Sequence, residues 1–223
     1  MPDTIQVTRP DGKTTPAVEL LPTRPQGAPG VVLIQEWWGI NAQIQRVGQR
    51  LADAGYRVLI PNLYRGDAAL DAAEAQHKMD GLDFADAAGQ DIRGAVQHLK
   101  RSTRHVGVLG FCMGGVLAVL AAMHVPEADA AVSWYGIPPA AAGDPAGIKI
   151  PLQCHFALHD QFFPIASADA LEQKLVTGHV VHECYRYDAK HAFFNEDWDF
   201  YAADCAKLAW QRSIAFLQRY LHA

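Results

Sequence analysis

The stretch VGVLGFCMGGVLAVL, residues 106–120, decides the fold of this chain. Its first part is a short apolar run with β-branched residues, which is typical of a buried parallel strand. The Ala- and Leu-rich part after Gly115 predicts a buried helix. Glycines between the two parts allow a tight reversal from strand to helix, because they carry no side chain to obstruct it. The stretch therefore predicts an α/β protein.

The reversal contains Gly110-x-Cys112-x-Gly114, the G-x-S-x-G pattern of a nucleophile elbow with Cys in place of Ser. Such a turn holds its central residue out at the carboxyl edge of a sheet, in a strained backbone conformation. The following helix directs its N-terminal N–H groups and positive dipole end toward the sulfur, which favours the thiolate. Cys112 is therefore the candidate nucleophile. The alternative is a small buried core residue, the common role of a free Cys.

The rest of the chain alternates strands and helices. A hairpin is predicted from residues 4–8 and 16–20, around a turn that contains Pro, Asp and Gly. Further strands are predicted at 31–35, 56–60, 130–135, 152–158 and 180–187. Helices are predicted at 42–54, 84–100, 166–176 and 198–221, with a shorter one from about residue 69. This alternation predicts a mostly parallel central sheet flanked by helices on both faces, in a single domain over residues 1–223.

Composition excludes several classes of function. The formal net charge of −5 argues against binding to nucleic acid or to an anionic membrane surface. The four cysteines show neither C-x-x-C spacing nor a disulfide framework, and the N-terminus lacks a signal-peptide pattern, so we expect a cytoplasmic protein. No metal site is expected, because no tetrahedral ligand set is evident. No cofactor is expected either, since Rossmann and P-loop glycine patterns are missing.

Two further residues follow predicted strands. Asp160 comes directly after the strand at 152–158, and His191 lies in the loop after the last strand. The chain order nucleophile, acid, histidine is that of an α/β-hydrolase triad. An imidazole titrates near neutrality and a carboxylate fixes its tautomer, so the two residues suit a thiol nucleophile. Each residue alone is weak evidence, because such an Asp is commonly a cap and such a His commonly a surface residue.

With these residues in place, the sequence resembles the dienelactone hydrolases, or carboxymethylenebutenolidases, of the α/β-hydrolase superfamily. The resemblance covers nearly the whole chain. It rests on five motifs: QEWWG at 35–39, PNLY at 61–64, GFCMGG at 110–115, HD at 159–160 and HAFF at 191–194. It implies the α/β-hydrolase fold.

The resemblance also implies the roles of individual residues. Cys112 would be the nucleophile, His191 its base and Asp160 the residue that orients the imidazole. Glu36 would pair with the resting cysteine and help to deprotonate it when substrate enters. The backbone N–H groups of Trp37 and Met113 would form the oxyanion hole. From the sequence alone, Glu36 is an acidic residue at the end of an apolar strand, where a turn or cap role is the alternative.

The sequence departs from the family where the substrate is bound. Well-known members bind the lactone carboxylate with two arginines, but one position is Asn195 here and residues 66–92 contain no Arg. The nearby cations are Arg65, Lys78 and Lys190. Aromatic residues near the motifs predict an aromatic-lined pocket. The candidate substrate-binding residues are Trp38, Tyr64, Phe193 and Asn195.

These observations predict a cysteine-dependent hydrolase of esters or lactones that acts through an acyl-thioester. The expected partner is a small-molecule ester or lactone, with no nucleic acid and no membrane, and the expected state is a monomer or weak dimer. Two alternatives stay open. One is a thioesterase or aryl esterase, and the other is a non-catalytic binding or thiol redox-sensing protein on the same fold.

Overall fold

A computed structural model describes residues 3–222, and these residues contain one eight-stranded sheet. The strand order is β1-β2-β4-β3-β5-β6-β7-β8. Strand β2 is antiparallel to β1 and β4, and the other neighbours are parallel. The strands are β1 (Asp3–Thr8), β2 (Thr14–Leu20), β3 (Gly30–Ile34), β4 (Arg57–Pro61), β5 (Val106–Phe111), β6 (Ala130–Trp134), β7 (Leu152–His159) and β8 (His182–Lys190).

Helices cover both faces of this sheet. They are α1 (Ala42–Asp53), α2 (Ala72–Asp80), α3 (Phe84–Asp86), α4 (Arg93–Lys100), α5 (Met113–His124), α6 (Ile165–Thr177) and α7 (Ala203–Leu221). Side chains of α1 and α7 share one apolar core with the sheet, and those of α4 and α5 share another. A third core forms where α6 covers β7. The predicted α/β fold with a mostly parallel, doubly covered sheet is confirmed.

Three segments differ from the sequence expectation. The helix predicted at 84–100 is interrupted by a π-helical segment, Ala87–Ile92. Strand β8 runs to Lys190 because its pairing with β7 resumes at His159 after an irregularity. Helix α7 begins at Ala203 rather than 198, because the preceding residues form turns, and the Ala202 N–H donates to the Phe193 carbonyl at 3.0 Å.

The carboxyl ends of the parallel strands meet at one edge of the sheet, where active groups of open α/β sheets gather. Glu36 lies just after β3, Cys112 directly after β5, Asp160 directly after β7 and His191 directly after β8. Across the part of the chain that the structure describes, no helix is long and apolar enough to cross a membrane.

Candidate active site

Cys112 occupies the turn between β5 and α5. Its backbone has φ 55° and ψ −116°, a conformation with positive φ that residues other than glycine rarely adopt. The Cys112 N–H donates to the Trp134 carbonyl at 3.0 Å, and its carbonyl accepts from the Val116 N–H at 3.0 Å. Because the peptide groups on both sides are anchored, the strained turn is held in place, as expected for a nucleophile elbow.

The glycines of the elbow are required by close backbone contacts. A Cβ on Gly110 would overlap the Gly114 carbonyl, and a Cβ on Gly114 would lie 2.6 Å from the carbonyl oxygens of Ile34 and Gln35. Only glycine fits where one backbone approaches another so closely. The two glycines of the G-x-C-x-G pattern therefore let the chain turn tightly enough for α5 to begin directly after Cys112.

The structure brings Cys112, His191 and Asp160 into one hydrogen-bonded chain. His191 Nε2 lies 3.1 Å from Cys112 Sγ, and His191 Nδ1 lies 2.7 Å from Asp160 Oδ2. The side chains of His191 and Asp160 are 8% and 2% exposed, so water competes little for these bonds. With Nδ1–H donating to the carboxylate, Nε2 presents its lone pair to the sulfur and is positioned to accept a proton from it.

Asp160 has a second task in the same place. Its Oδ1 accepts the backbone N–H groups of Phe162 and Phe163 at 2.8 and 2.9 Å. The carboxylate thus orders the loop that follows β7 while its other oxygen holds His191. The rings of Phe162 and Phe163 lie 4.9 and 5.8 Å from the His191 ring.

Glu36 is buried, 4% exposed, in the wall of the same site. Its carboxylate accepts from Asn195 Nδ2 at 2.8 Å and from the Tyr135 hydroxyl at 3.3 Å. The family resemblance implies pairing with the cysteine, whereas here the carboxylate bonds Asn195 and Tyr135, and the thiol contacts His191 instead. Tyr135 was not anticipated from the sequence, although its place directly after β6, at the active edge, could have identified it.

Burial sets the protonation of this cluster. Burial raises the pKa of Glu36, against the opposing effects of the Asn195 hydrogen bond and the nearby His191. Enclosure also raises the pKa of the Cys112 thiol, and the charge of Glu36 raises it further. The Met113 N–H, which bonds the sulfur, acts in the opposite direction. Burial and the Glu36 charge thus favour a neutral Cys112 thiol, against the helix dipole behind it.

A cavity of about 250 Å³ opens over Cys112 and His191. Its walls are mostly apolar. Two of its aromatic residues, Trp198 and Phe200, were not identified from the sequence, because they lie in a segment predicted to be helical. Of the described residues that line it, none is Lys or Arg. The lining residues are Glu36, Trp37, Trp38, Gln76, Met79, Phe84, Cys112, Met113, Val116, Gln161, Phe162, Phe163, His191, Ala192, Asn195, Trp198 and Phe200.

The four candidate substrate-binding residues have different positions. Trp38 and Asn195 line the cavity. Tyr64 lies behind its wall, with its hydroxyl 2.9 Å from the Trp37 carbonyl and 3.4 Å from Met113 Sδ. The prediction for Phe193 is wrong, because this ring is fully buried in the core against Trp134. The Phe193 side chain points into the core, and the sequence pattern does not indicate this orientation.

The three nearby cations have other partners. Arg65 binds Asp91 at 2.9 and 3.0 Å. Lys78 donates to the Asp67 carbonyl, and the Lys190 ammonium lies 4.8 Å from the centre of the Phe200 ring. Within residues 3–222, no group of three or more His, Cys, Asp and Glu side chains is placed to hold a metal ion.

Comparisons with known proteins identify the family of this chain. The model of the dienelactone hydrolase family matches residues 16–221. Protein usf of Aquifex pyrophilus is 31% identical over 87% of this chain and 90% of its own. The carboxymethylenebutenolidase of Rhodococcus opacus is 30% identical, covering 86% of this chain and 81% of its own. A crystal structure of a Klebsiella pneumoniae protein assigned as a dienelactone hydrolase superposes with a TM-score of 0.86 at 25% identity, covering 99% of this chain and 100% of that one. The chain therefore belongs to the dienelactone hydrolase family and is an ester or lactone hydrolase with the α/β-hydrolase fold.

Proposed function

We propose that the protein hydrolyses uncharged carboxylic esters or lactones through a thioester on Cys112. The observation that carries this proposal is the contact of Cys112 Sγ with His191 Nε2 at 3.1 Å, with Asp160 2.7 Å from the other imidazole nitrogen. A nucleophile, a base and an orienting acid in contact are the requirements for covalent acyl transfer.

In the acylation step, the thiol proton passes to His191 Nε2 as the sulfur attacks the carbonyl carbon. The substrate oxygen becomes an oxyanion, for which the backbone N–H groups of Trp37 and Met113 are the proposed donors. Both residues line the cavity, and the Met113 N–H already bonds the sulfur. Donors fixed before the reaction stabilise developing charge without reorganising, which is commonly the largest contribution to such catalysis.

The tetrahedral intermediate collapses by breaking the bond to the leaving oxygen, which takes the proton from His191. Water then enters, gives a proton to the same nitrogen and attacks the thioester carbon. The sulfur departs with that proton and the acid is released, so the neutral thiol is regenerated. Asp160 stabilises the imidazolium in both halves of the cycle.

Glu36 is proposed to be the charge that keeps the resting thiol protonated. Its carboxylate lies in the cavity wall with the thiol, and two like charges there disfavour each other. The same charge opposes a substrate carboxylate, since none of the described lining residues is cationic. The preferred substrate is therefore neutral, in contrast to the free carboxylate that the family's paired arginines bind.

The redox-sensor alternative is disfavoured by the placement of the other thiols. Such a sensor pairs its reactive cysteine with a resolving one. Here Cys154 and Cys184 are register partners on β7 and β8, and Cys205 Sγ lies 3.9 Å from the Asp188 carbonyl. The sulfur of Cys112 contacts His191 instead. A thioesterase or aryl esterase uses the same machinery and stays an alternative for the substrate class.

The test is hydrolysis of p-nitrophenyl acetate with intact-mass detection of an acetylated enzyme. We expect iodoacetamide and Cys112→Ala to abolish both turnover and acetylation. The matched control is Cys205→Ser, which removes a half-buried thiol elsewhere and is expected to change neither. Turnover that persists in Cys112→Ala would refute the proposed mechanism.

A further inference from the structure

A second cavity lies at the same edge of the sheet as the catalytic one. It is an open groove of about 310 Å³ between α6 and the proline-rich loop that follows β6. Ile137, Pro138 and Leu171 give it an apolar floor, and Ser167 and Lys174 lie along α6 beside them. Lys174 is paired with Asp144 at 3.7 Å, so the charge at this end of the groove is compensated. Its lining suits an uncharged hydrocarbon chain.

Phe163 lines both the groove and the catalytic cavity. The Phe163 ring therefore borders both spaces. The backbone of Phe163 is anchored by its N–H bond to Asp160 Oδ1 at 2.9 Å, while the ring is only partly buried. Because the hydrogen bond involves the backbone, a rotation of the ring leaves the order of the loop unchanged.

The volumes show why a joined space matters. The catalytic cavity, at about 250 Å³, is smaller than the roughly 300–1,000 Å³ typical of small-molecule pockets. With the groove of about 310 Å³ added, the space falls well within that range. A substrate longer than a short ester needs the additional room.

The position of Phe163 also indicates which half of the substrate enters the groove. His191 delivers the proton to the departing oxygen, so the alcohol half of an ester lies on the His191 side of the cavity. The Phe163 ring is on that side, 5.8 Å from the His191 ring. We propose that the groove is a subsite for the alcohol portion of the substrate, and that Phe163 is the gate to it. The natural substrate class is then an ester of an extended apolar alcohol.

This inference rests on the proposed function, and a pair of isomeric esters separates the two. Octyl acetate and ethyl octanoate contain the same atoms, with the long chain on the alcohol side in one and on the acyl side in the other. We expect the wild-type enzyme to have the higher kcat/KM for octyl acetate. Each methylene that is buried contributes about fourfold, so two or three of them in the groove give at least about tenfold.

The critical test is a variant in which a larger side chain fills the groove. Ala170 lies on the exposed face of α6 that lines the groove, so Ala170→Phe occupies the space with little risk to folding. We expect it to remove the preference for octyl acetate and to leave ethyl acetate turnover unchanged. The matched control is Val176→Phe, which adds an aromatic ring at another exposed position of α6 that does not line the groove.

Removal of the Phe163 ring is an independent test of the proposal. Phe163→Ala is expected to increase the preference for octyl acetate, because it removes the ring that borders both spaces. Wild-type turnover that depends on Cys112 but shows no preference for octyl acetate would overturn the groove proposal alone, as would a preference that survives Ala170→Phe. Turnover of both esters that persists in Cys112→Ala would count against the proposed function instead.

Discussion

The Glu36→Gln substitution removes a buried negative charge from the catalytic cavity and keeps a side chain of the same shape. The Gln carbonyl accepts the Asn195 amide bond in place of the carboxylate, and its NH₂ group donates to the Tyr135 oxygen. Two charges about 4–6 Å apart at an effective dielectric constant of about 20 interact by roughly 3–4 kcal/mol. One pKa unit corresponds to about 1.4 kcal/mol. The variant should therefore lower the pKa of the Cys112 thiol by about 2–3 units.

The assay is the rate of iodoacetamide labelling of Cys112 as a function of pH, read by mass spectrometry. Glu36→Gln should shift the labelling profile to lower pH. The control Glu196→Gln removes an exposed carboxylate, paired with Arg46, and should leave the profile in place. A profile identical to that of the wild-type enzyme would refute the electrostatic role of Glu36.

The same variant identifies the acceptor of the thiol proton. Because His191 Nε2 contacts the sulfur while Glu36 bonds Asn195 and Tyr135, we expect pre-steady-state acylation to change by less than about tenfold. The family resemblance implies a larger loss, with Glu36 taking the proton. Acylation that slows by more than this while labelling shifts to lower pH would assign the proton transfer to Glu36.

Stability should respond to pH through the same group. Burial raises the Glu36 pKa, so the folded protein holds this proton more tightly than the unfolded chain does. The contribution to the free energy of unfolding therefore falls as the pH rises from the unfolded pKa of about 4.3 through the raised folded value. Glu36→Gln should have the higher Tm at neutral pH, with a difference that shrinks in acid. A difference that grows in acid would contradict this sign.

Three further predictions concern the nucleophile, the substrate and the oxyanion hole. Cys112→Ser should retain the wild-type Tm but lose nearly all p-nitrophenyl acetate turnover, because a hydroxyl is far harder to ionise than a thiol; wild-type rates in this variant would contradict the thiol mechanism. Dienelactone, which carries a carboxylate, should have a kcat/KM at least about tenfold below that of a neutral lactone, since Glu36 faces it and no described lining residue is cationic; a preference for dienelactone in steady-state kinetics would reverse this conclusion. Tyr64→Phe removes the hydrogen bond to the Trp37 carbonyl, and a loss of about 1 kcal/mol should lower kcat about fivefold with KM unchanged, whereas a change confined to KM would indicate a binding role instead.

Features set by local chemistry could be predicted from the sequence. The hairpin around Pro10, the elbow at Cys112 and the buried strands follow from turn residues, glycine spacing and apolar runs, and the structure has them all. The order of Cys112, Asp160 and His191 predicted a cluster because carboxyl ends of parallel strands share one edge. These features depend on neighbours in sequence or on a rule of topology.

Features that depend on distant contacts could not be predicted. The π-helical segment at 87–92 follows Asp86 and contains Asp91, and both carboxylates bind Arg9 of the hairpin, at 2.7 and 3.1 Å. The pairing of Glu36 with Asn195 joins residues 159 positions apart. Phe193 and Phe194 are consecutive aromatic residues in a loop, and nothing local indicates that Phe193 is enclosed by the core. These features are determined by tertiary packing, which the local sequence pattern does not encode.

The position of β8 at the rim of the sheet makes the histidine the last part of the machinery to arrive. Cys112 is positioned by the centre of the sheet, whereas His191 depends on an edge strand whose pairing partner is β7. On the ribosome, Cys112 is therefore synthesised about eighty residues before His191, the residue that contacts its sulfur in the folded protein. Under the proposed mechanism, acyl transfer therefore requires β8 to be paired with β7, because His191 reaches the sulfur from the end of that strand.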